Sequence, residues 1–255
     1  MRFASLGSGS SGNAMVVEAG RTRVMLDCGF GIRDTVGRLA RLGLSPEDLC
    51  GIVVTHEHTD HIGGVAKFAS KFNLPVWLTH GTLSAASTRF QNFPHLCPID
   101  SHARFAVGDL EIEPFPVPHD AREPVQYVFG DGKRRLGVLT DAGASTAHIE
   151  ATLSGCDALV LECNHDIGML RDGPYPPVLK RRVAGRFGHL DNEAAAQLLA
   201  KLESGRLQHV VAAHLSEKNN TPELARAALS GALGCDWKWI GVADQANGLG
   251  WRQIV

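Results

Sequence analysis

Residues 55–61 read THEHTDH, the densest group of metal-binding side chains in the sequence. His56 and His58 leave the apolar run GIVVT (51–55). On an extended segment, side chains two residues apart point the same way. Two imidazoles placed like this grip one cation, at about 2.0–2.1 Å if it is zinc. Asp60 and His61 come after the chain bends into the next helix, so they meet the same cavity from another direction and suit a second cation. A surface histidine cluster is the plain alternative. Three histidines and an aspartate within six residues, at a strand-to-helix junction, weigh against it.

These four residues do not complete two metal sites. The remaining donors should be His, Asp or Glu at strand ends, which gather at one rim of an α/β sheet. Three residues fit: His119 after EPFPVP, Asp141 after LGVLT, and His214 after VVAA. All are N or O donors, which suit zinc first and also manganese or iron.

The surrounding sequence supplies elements to carry them. RFASL, NAMVVEA and TRVMLDCG read as strands split by glycine turns. IRDTVGRLARLG (32–43) has apolar residues at helical spacing and stops at Gly43. DHIGGVAKFASKF (60–72) reads as one helix, and PVWLT (75–79) as a strand. The middle of the chain is rich in β-structure, and DALVLECN (157–164) is a further buried strand. Residues 165–190 read as irregular, with prolines and a basic cluster. Helix 191–204, strand 209–214, helix 221–233 and strand 237–241 (WKWIG) close the chain. This pattern predicts two sheets stacked between helical layers.

HEHTDH, then His119, then TDAG with Asp141, then AAH with His214, resemble the ordered motifs of the metallo-β-lactamase superfamily. The resemblance runs over nearly the whole chain. It implies one domain, residues 1–255, folded as a four-layered αβ/βα sandwich with two divalent metal ions between the sheets. On this resemblance His56, His58 and His119 hold one ion, Asp60, His61 and His214 hold the other, and Asp141 bridges them. Two cations about 3.5–4 Å apart share a hydroxide and polarise the substrate's oxygen. Asp60 additionally orients that hydroxide.

Three further stretches resemble the YycJ (WalJ)-like branch of the superfamily: GSGSSGN (7–13), ECNHDIGML…GPYP…LKRR…GHLDN (162–192) and HLSEKNN (214–220). That branch implies a phosphodiesterase acting as a 5′-to-3′ DNA exonuclease, with single-stranded DNA or 5′ ends as substrate. The alternative is a small-molecule ester, thioester or phosphodiester hydrolase; a metal-bound module without catalysis is the third reading. One departure is Asp191, where the branch usually has serine; an acid there caps the next helix equally well.

Within this frame His189, in GHLDN, is the candidate to protonate the leaving oxygen. His165 is placed behind the metal ligands. Arg181, Arg182 and Lys218 are candidate phosphate contacts. Gly7, Gly9 and Gly12 spell G-x-G-x-x-G, but a strand follows where a nucleotide-binding loop needs a helix. The alternative role for this loop is to bring backbone amides, with Ser11 and Asn13, near a bound anion.

Composition is ordinary for a globular protein, with 44% apolar and 20% charged residues. The formal net charge of −2 excludes a strongly basic nucleic-acid binder, so any phosphate affinity must be local. The six cysteines are scattered without C-x-x-C and read as buried reduced thiols. The N-terminus lacks the apolar core of a secretory signal, and no window approaches the roughly 20 apolar residues of a membrane span. A cytoplasmic location is the expectation.

Overall fold

The computed structural model describes residues 1–255. The first part of the chain runs β1 (Arg2–Gly7), β2 (Ala14–Ala19), β3 (Thr22–Leu26), α1 (Ile32–Arg41), β4 (Gly51–Val53), α2 (Thr59–Ile62), α3 (Val65–Phe72), β5 (Val76–Thr79), α4 (His80–Ala85) and β6 (Leu96–Ile99). There follow β7 (Phe105–Val107), β8 (Leu110–Pro116), β9 (Val125–Gly130), β10 (Arg135–Leu139), α5 (Ala147–Leu153) and β11 (Ala158–Glu162). The chain closes with α6 (Ile167–Asp172), α7 (Pro177–Val183), α8 (Asn192–Lys201), β12 (His209–Ala213), α9 (Pro222–Leu233), β13 (Gly241–Val242) and β14 (Leu249–Gln253).

The strands form two seven-stranded sheets, in the orders β14-β1-β2-β3-β4-β5-β6 and β13-β12-β11-β10-β9-β8-β7. The period-2 alternation of strand side chains sets the layers. In β2, Val17 enters the core between the sheets while Val16 joins the core under α1 and α3. In β11, Val160 faces the other sheet, while Leu159 and Leu161 face α5, α8 and α9. Both faces of each sheet are therefore apolar, and both are covered. Most helices are too short to persist alone. Their buried residues, such as Leu39, Phe68, Ile149, Leu198 and Leu229, hold them to the sheets at about 1.5–3 kcal/mol of burial each. The expected αβ/βα sandwich is observed.

Some expectations need correction. The 60–72 helix is two helices, because Gly63 and Gly64 bend the chain between α2 and α3. A side chain on Gly64 would collide with the carbonyl of Phe30. WKWIG is not a strand: Trp237–Trp239 form a 3₁₀ turn, and only Gly241 and Val242 pair with β12. Residues 165–190 contain α6 and α7 rather than irregular chain alone. The closing strand β14, which pairs with β1, carries no alternating apolar signal and was not expected. Cys28, Cys156 and Cys163 are buried free thiols, but Cys50 is exposed, and Cys97 and Cys235 are half-buried. No helix is long and apolar enough to cross a membrane.

Candidate metal centre

Strands β3 and β4 in one sheet run parallel to each other, as do β10, β11 and β12 in the other, and they end at the same rim. At or just past these ends stand Asp27, His56, Asp141, Glu162 and His214. His119 joins them after β8, and Asp60 and His61 come from α2. The hydroxyl of Tyr127 in β9 donates to the Val54 carbonyl at 2.7 Å, tying the sheets together beneath His56. Five non-glycine residues have left-handed backbone; three of them are Asp27, Asp141 and His214. Strain of this kind is kept where a side chain must be aimed.

The structure brings all the expected metal-binding residues together. His56, His58 and His119 form one group of converging donors, and Asp60, His61 and His214 form another. Asp141 lies between them: its Oδ2 is 3.0 Å from His61 Nε2, and its Oδ1 is 3.4 Å from His214 Nε2 and 3.9 Å from His119 Nε2.

Hydrogen bonds set which ring nitrogen faces inward. Thr55 Oγ1 donates to Asp27 Oδ2 at 2.9 Å, so it accepts from His56 Nδ1 at 2.9 Å. His61 Nδ1 donates to Asp27 Oδ2 at 2.7 Å, and His119 Nδ1 to the Gly188 carbonyl at 3.0 Å. In each ring this leaves Nε2 for a cation. Three buried atoms of the cluster, His56 Nε2, His214 Nε2 and Asp141 Oδ2, have no hydrogen-bond partner. Orphaned buried donors and acceptors are costly, and divalent cations at these positions would satisfy them. The residues present therefore fit the metals that the fold implies.

Electrostatics agree. Burial works against protonating His61 and His214, but neighbouring carboxylates outweigh it. Asp141 and Asp27 hold His61 well above its usual range. Asp141, Asp60 and Glu162 raise His214 to about 10. Burial pushes Asp141 up, yet His214 and His61 keep it far below the usual carboxylate range. Asp60 is likewise held well below that range: His214 and His61 overcome its burial. His56 differs, since burial and the adjacent His61 keep it neutral. Without metal, the site thus draws protons to a place where carboxylates demand positive charge.

Other expected residues fall less uniformly. His189 lies at the cluster, its Nδ1 2.8 Å from Glu162 Oε1 and 3.5 Å from Asp141 Oδ1. Arg182 is exposed, and its Nε reaches Asp120 Oδ2 at 2.6 Å; Asp120 Oδ1 stands 3.6 Å from His119 Nε2. Arg181 and Lys218 are exposed, with the Lys218 ammonium 6.0 Å from the Tyr175 ring. His165 is buried but meets the cluster only through Asn164, whose amide nitrogen lies 3.3 Å from His214 Nδ1. Asp191 caps α8, its Oδ1 accepting from Ala194 N at 2.8 Å.

The glycine-rich loop is the clear correction. Four of its amides are already taken: Gly9 N donates to Asn13 Oδ1, Ser11 N to Gln245 Oε1, Gly12 N to Gly9 O, and Asn13 N to Asp60 O. Asn13 is buried, its amide nitrogen 3.0 Å from both Gly9 O and His61 Nε2. It is no donor for an outside anion, and of the expected pair only the Ser11 hydroxyl remains exposed. The loop instead positions the site. Ser8 Oγ accepts from His214 N at 2.8 Å, and Asn13 N fixes the Asp60 carbonyl at 2.7 Å.

Sequence reasoning missed Asp27, Glu162 and Asp120. Asp27 and Glu162 were findable, since both stand at strand ends by the same rule that picks Asp141. Asp27 gives a direct test. Asparagine tolerates its left-handed backbone, with φ of 59°, but would point an amide at His61 Nδ1. Asp27→Asn is expected to weaken metal binding about 10–100-fold, read by competition with a chromophoric chelator. Unchanged affinity would show that Asp27 does not orient His61.

A family model described as a beta-lactamase superfamily domain matches residues 22–214. The chain is 37% identical over 250 residues to a Bacillus anthracis protein named exodeoxyribonuclease YycJ, covering 96% of this chain and 92% of that one. It is 32% identical over 240 residues to a Streptococcus pneumoniae protein named exodeoxyribonuclease WalJ, covering 91% and 88%. Among solved structures it resembles the metallo-β-lactamase fold protein YhfI from Bacillus subtilis, with a TM-score of 0.75, 13% identity and 99% of each chain covered; this likeness concerns the fold alone. With its ligand cluster, its two sheets and these relatives together, the chain belongs to the metallo-β-lactamase superfamily, in the YycJ and WalJ family.

Proposed function

We propose that the protein is a metal-dependent phosphodiesterase that degrades DNA from the 5′ end. The observation that carries this reading is the His189–Glu162 pair beside two converging groups of metal donors, with Arg182 tied to the cluster through Asp120. The relatives named exodeoxyribonucleases support DNA as the substrate. His56, His58 and His119 would hold one cation, Asp60, His61 and His214 a second, and Asp141 both. Zinc is our assignment; manganese and iron suit the same donors. When bound, such cations supply a nucleophilic water at neutral pH and neutralise charge on the phosphoryl oxygens.

The chain's own groups do the rest. Asp60, partly exposed and held ionised, accepts a hydrogen bond from the attacking water and so aims it. His189 has Nδ1 bound to Glu162, which leaves Nε2–H for the sugar oxygen that departs. As the phosphorus–oxygen bond breaks, that proton passes to the leaving oxygen. Arg181 and Lys218 hold neighbouring phosphates.

The test compares turnover of 5′-phosphorylated single-stranded DNA with a generic phosphodiester, a thioester and a lactone, after metal content is measured. Ordered loss of nucleotides from the 5′ end, at rates well above the other substrates, is expected. DNA left intact with zinc, manganese and iron while the thioester turns over would overturn the reading.

A further inference from the structure

We propose that Phe187 is the base-stacking residue of this site, its ring receiving the nucleobase next to the scissile phosphate of a single DNA strand; this rests on the nuclease reading above. Phe187 is 56% exposed. An exposed aromatic ring two residues from the proposed proton donor presents a flat face on which a nucleobase can stack. Looseness does not explain the exposure, because the peptide around the ring is fixed on every side. The Phe187 carbonyl accepts from Asp120 N at 3.0 Å, and the next carbonyl, that of Gly188, accepts from His119 Nδ1. Gly188 N donates to Gly185 O at 2.8 Å, and His189 N to Val183 O at 2.9 Å. Any side chain on Gly188 would collide with the carbonyls of Arg182 and Val183. The chain therefore packs tightly here and still turns a phenyl ring to solvent.

Its neighbours identify the occupant. Arg186 precedes it and is exposed, as are Arg181 and Arg182 on α7. His189, the proton donor, follows two residues later, so the two Cα atoms are at most about 7 Å apart. An exposed aromatic face on a segment rich in arginine is the usual platform for single-stranded nucleic acid, and it accepts every base because each has a π-face. Bases inside a duplex are already stacked on one another. A Phe187 platform thus selects single strands or frayed 5′ ends without selecting sequence.

The test uses the metal-loaded protein. Binding of a fluorescent, 5′-phosphorylated single strand with cleavage-resistant phosphorothioate linkages is read by anisotropy, against the same strand abasic at its first two nucleotides. Cleavage of the ordinary strand is followed in parallel. Wild type should prefer the strand with bases by about 10–100-fold. In Phe187→Ala that ratio should fall to near one, and Phe187→Trp should restore it. A ratio that Phe187→Ala leaves unchanged overturns the proposal, including when both affinities drop, since that marks a structural role. If DNA binds with the expected ratio but is not cleaved, stacking stands and the nuclease reading falls. If the strand is cleaved with an unchanged ratio, the reverse holds.

Discussion

Asp141→Asn is expected to lower turnover by about a thousandfold or more, and to leave the protein with less than its full metal content. Asp141 is 2% exposed, and its two oxygens face His61, His119, His189 and His214. No other carboxylate of the cluster lies between the two groups of histidines. Asparagine keeps the shape and tolerates the backbone φ of 51°, so the fold should survive. What is lost is the charge. The left-over amide would donate towards nitrogens that must present lone pairs to a cation. Losing several kcal/mol of charge stabilisation in the transition state corresponds to roughly three decades in rate.

The measurements are metal content by elemental analysis and kcat on single-stranded DNA. Full metal content with activity within tenfold of wild type would remove Asp141 from the bridging role. Refolding is not at issue if the variant keeps its circular dichroism and unfolds cooperatively.

Much of this centre was legible because strand ends announce themselves locally. THEHTDH, His119, Asp141 and His214 each follow an apolar run that reads as a strand, and strands running in the same direction within the two mixed sheets bring such ends to one rim. What could not be read depends on contacts between distant segments. Gln245 takes the amide of Ser11 and returns a hydrogen bond to the Gly12 carbonyl, from the far end of the chain. That pairing turns the glycine loop from a candidate anion cradle into a brace. Arg182 likewise reads as a free phosphate contact until Asp120 is seen to hold it at the rim. The strand β14 was hidden for a similar reason: an edge strand with LGWRQ, half-buried against β1, has no pattern of its own.

His189→Ala should cost about 10²–10⁴ in kcat on DNA, and far less on a phosphodiester whose leaving group is p-nitrophenolate. The difference follows from the proton. A sugar alkoxide is a poor leaving group and needs an acid at the moment of bond cleavage; p-nitrophenolate leaves without one. Glu162 sets this acid up. It is fully buried at the end of β11 and accepts from His189 at 2.8 Å, Ala142 N at 2.9 Å and Leu190 N at 3.1 Å. Burial pushes its pKa up, but the charge and hydrogen bond of His189, with a hydrogen bond from His214, bring it to about 2. Burial alone would depress His189, but the Glu162 and Asp141 carboxylates more than compensate and raise it above 6.5.

The sign of the pH dependence is then fixed. An acid must be protonated to act, so activity should fall as pH rises through the raised His189 value. Glu162→Gln removes the charge but keeps an acceptor for the backbone amides, so the fall should move to lower pH while the fold persists. The same raised pKa stabilises the folded chain. That contribution is complete below about 6.5 and fades as pH climbs through the folded-state value. Glu162→Gln should therefore also flatten the loss of thermal stability between neutral and alkaline pH. Equal losses of kcat on both leaving groups in His189→Ala would show instead that the ring binds phosphate and gives up no proton.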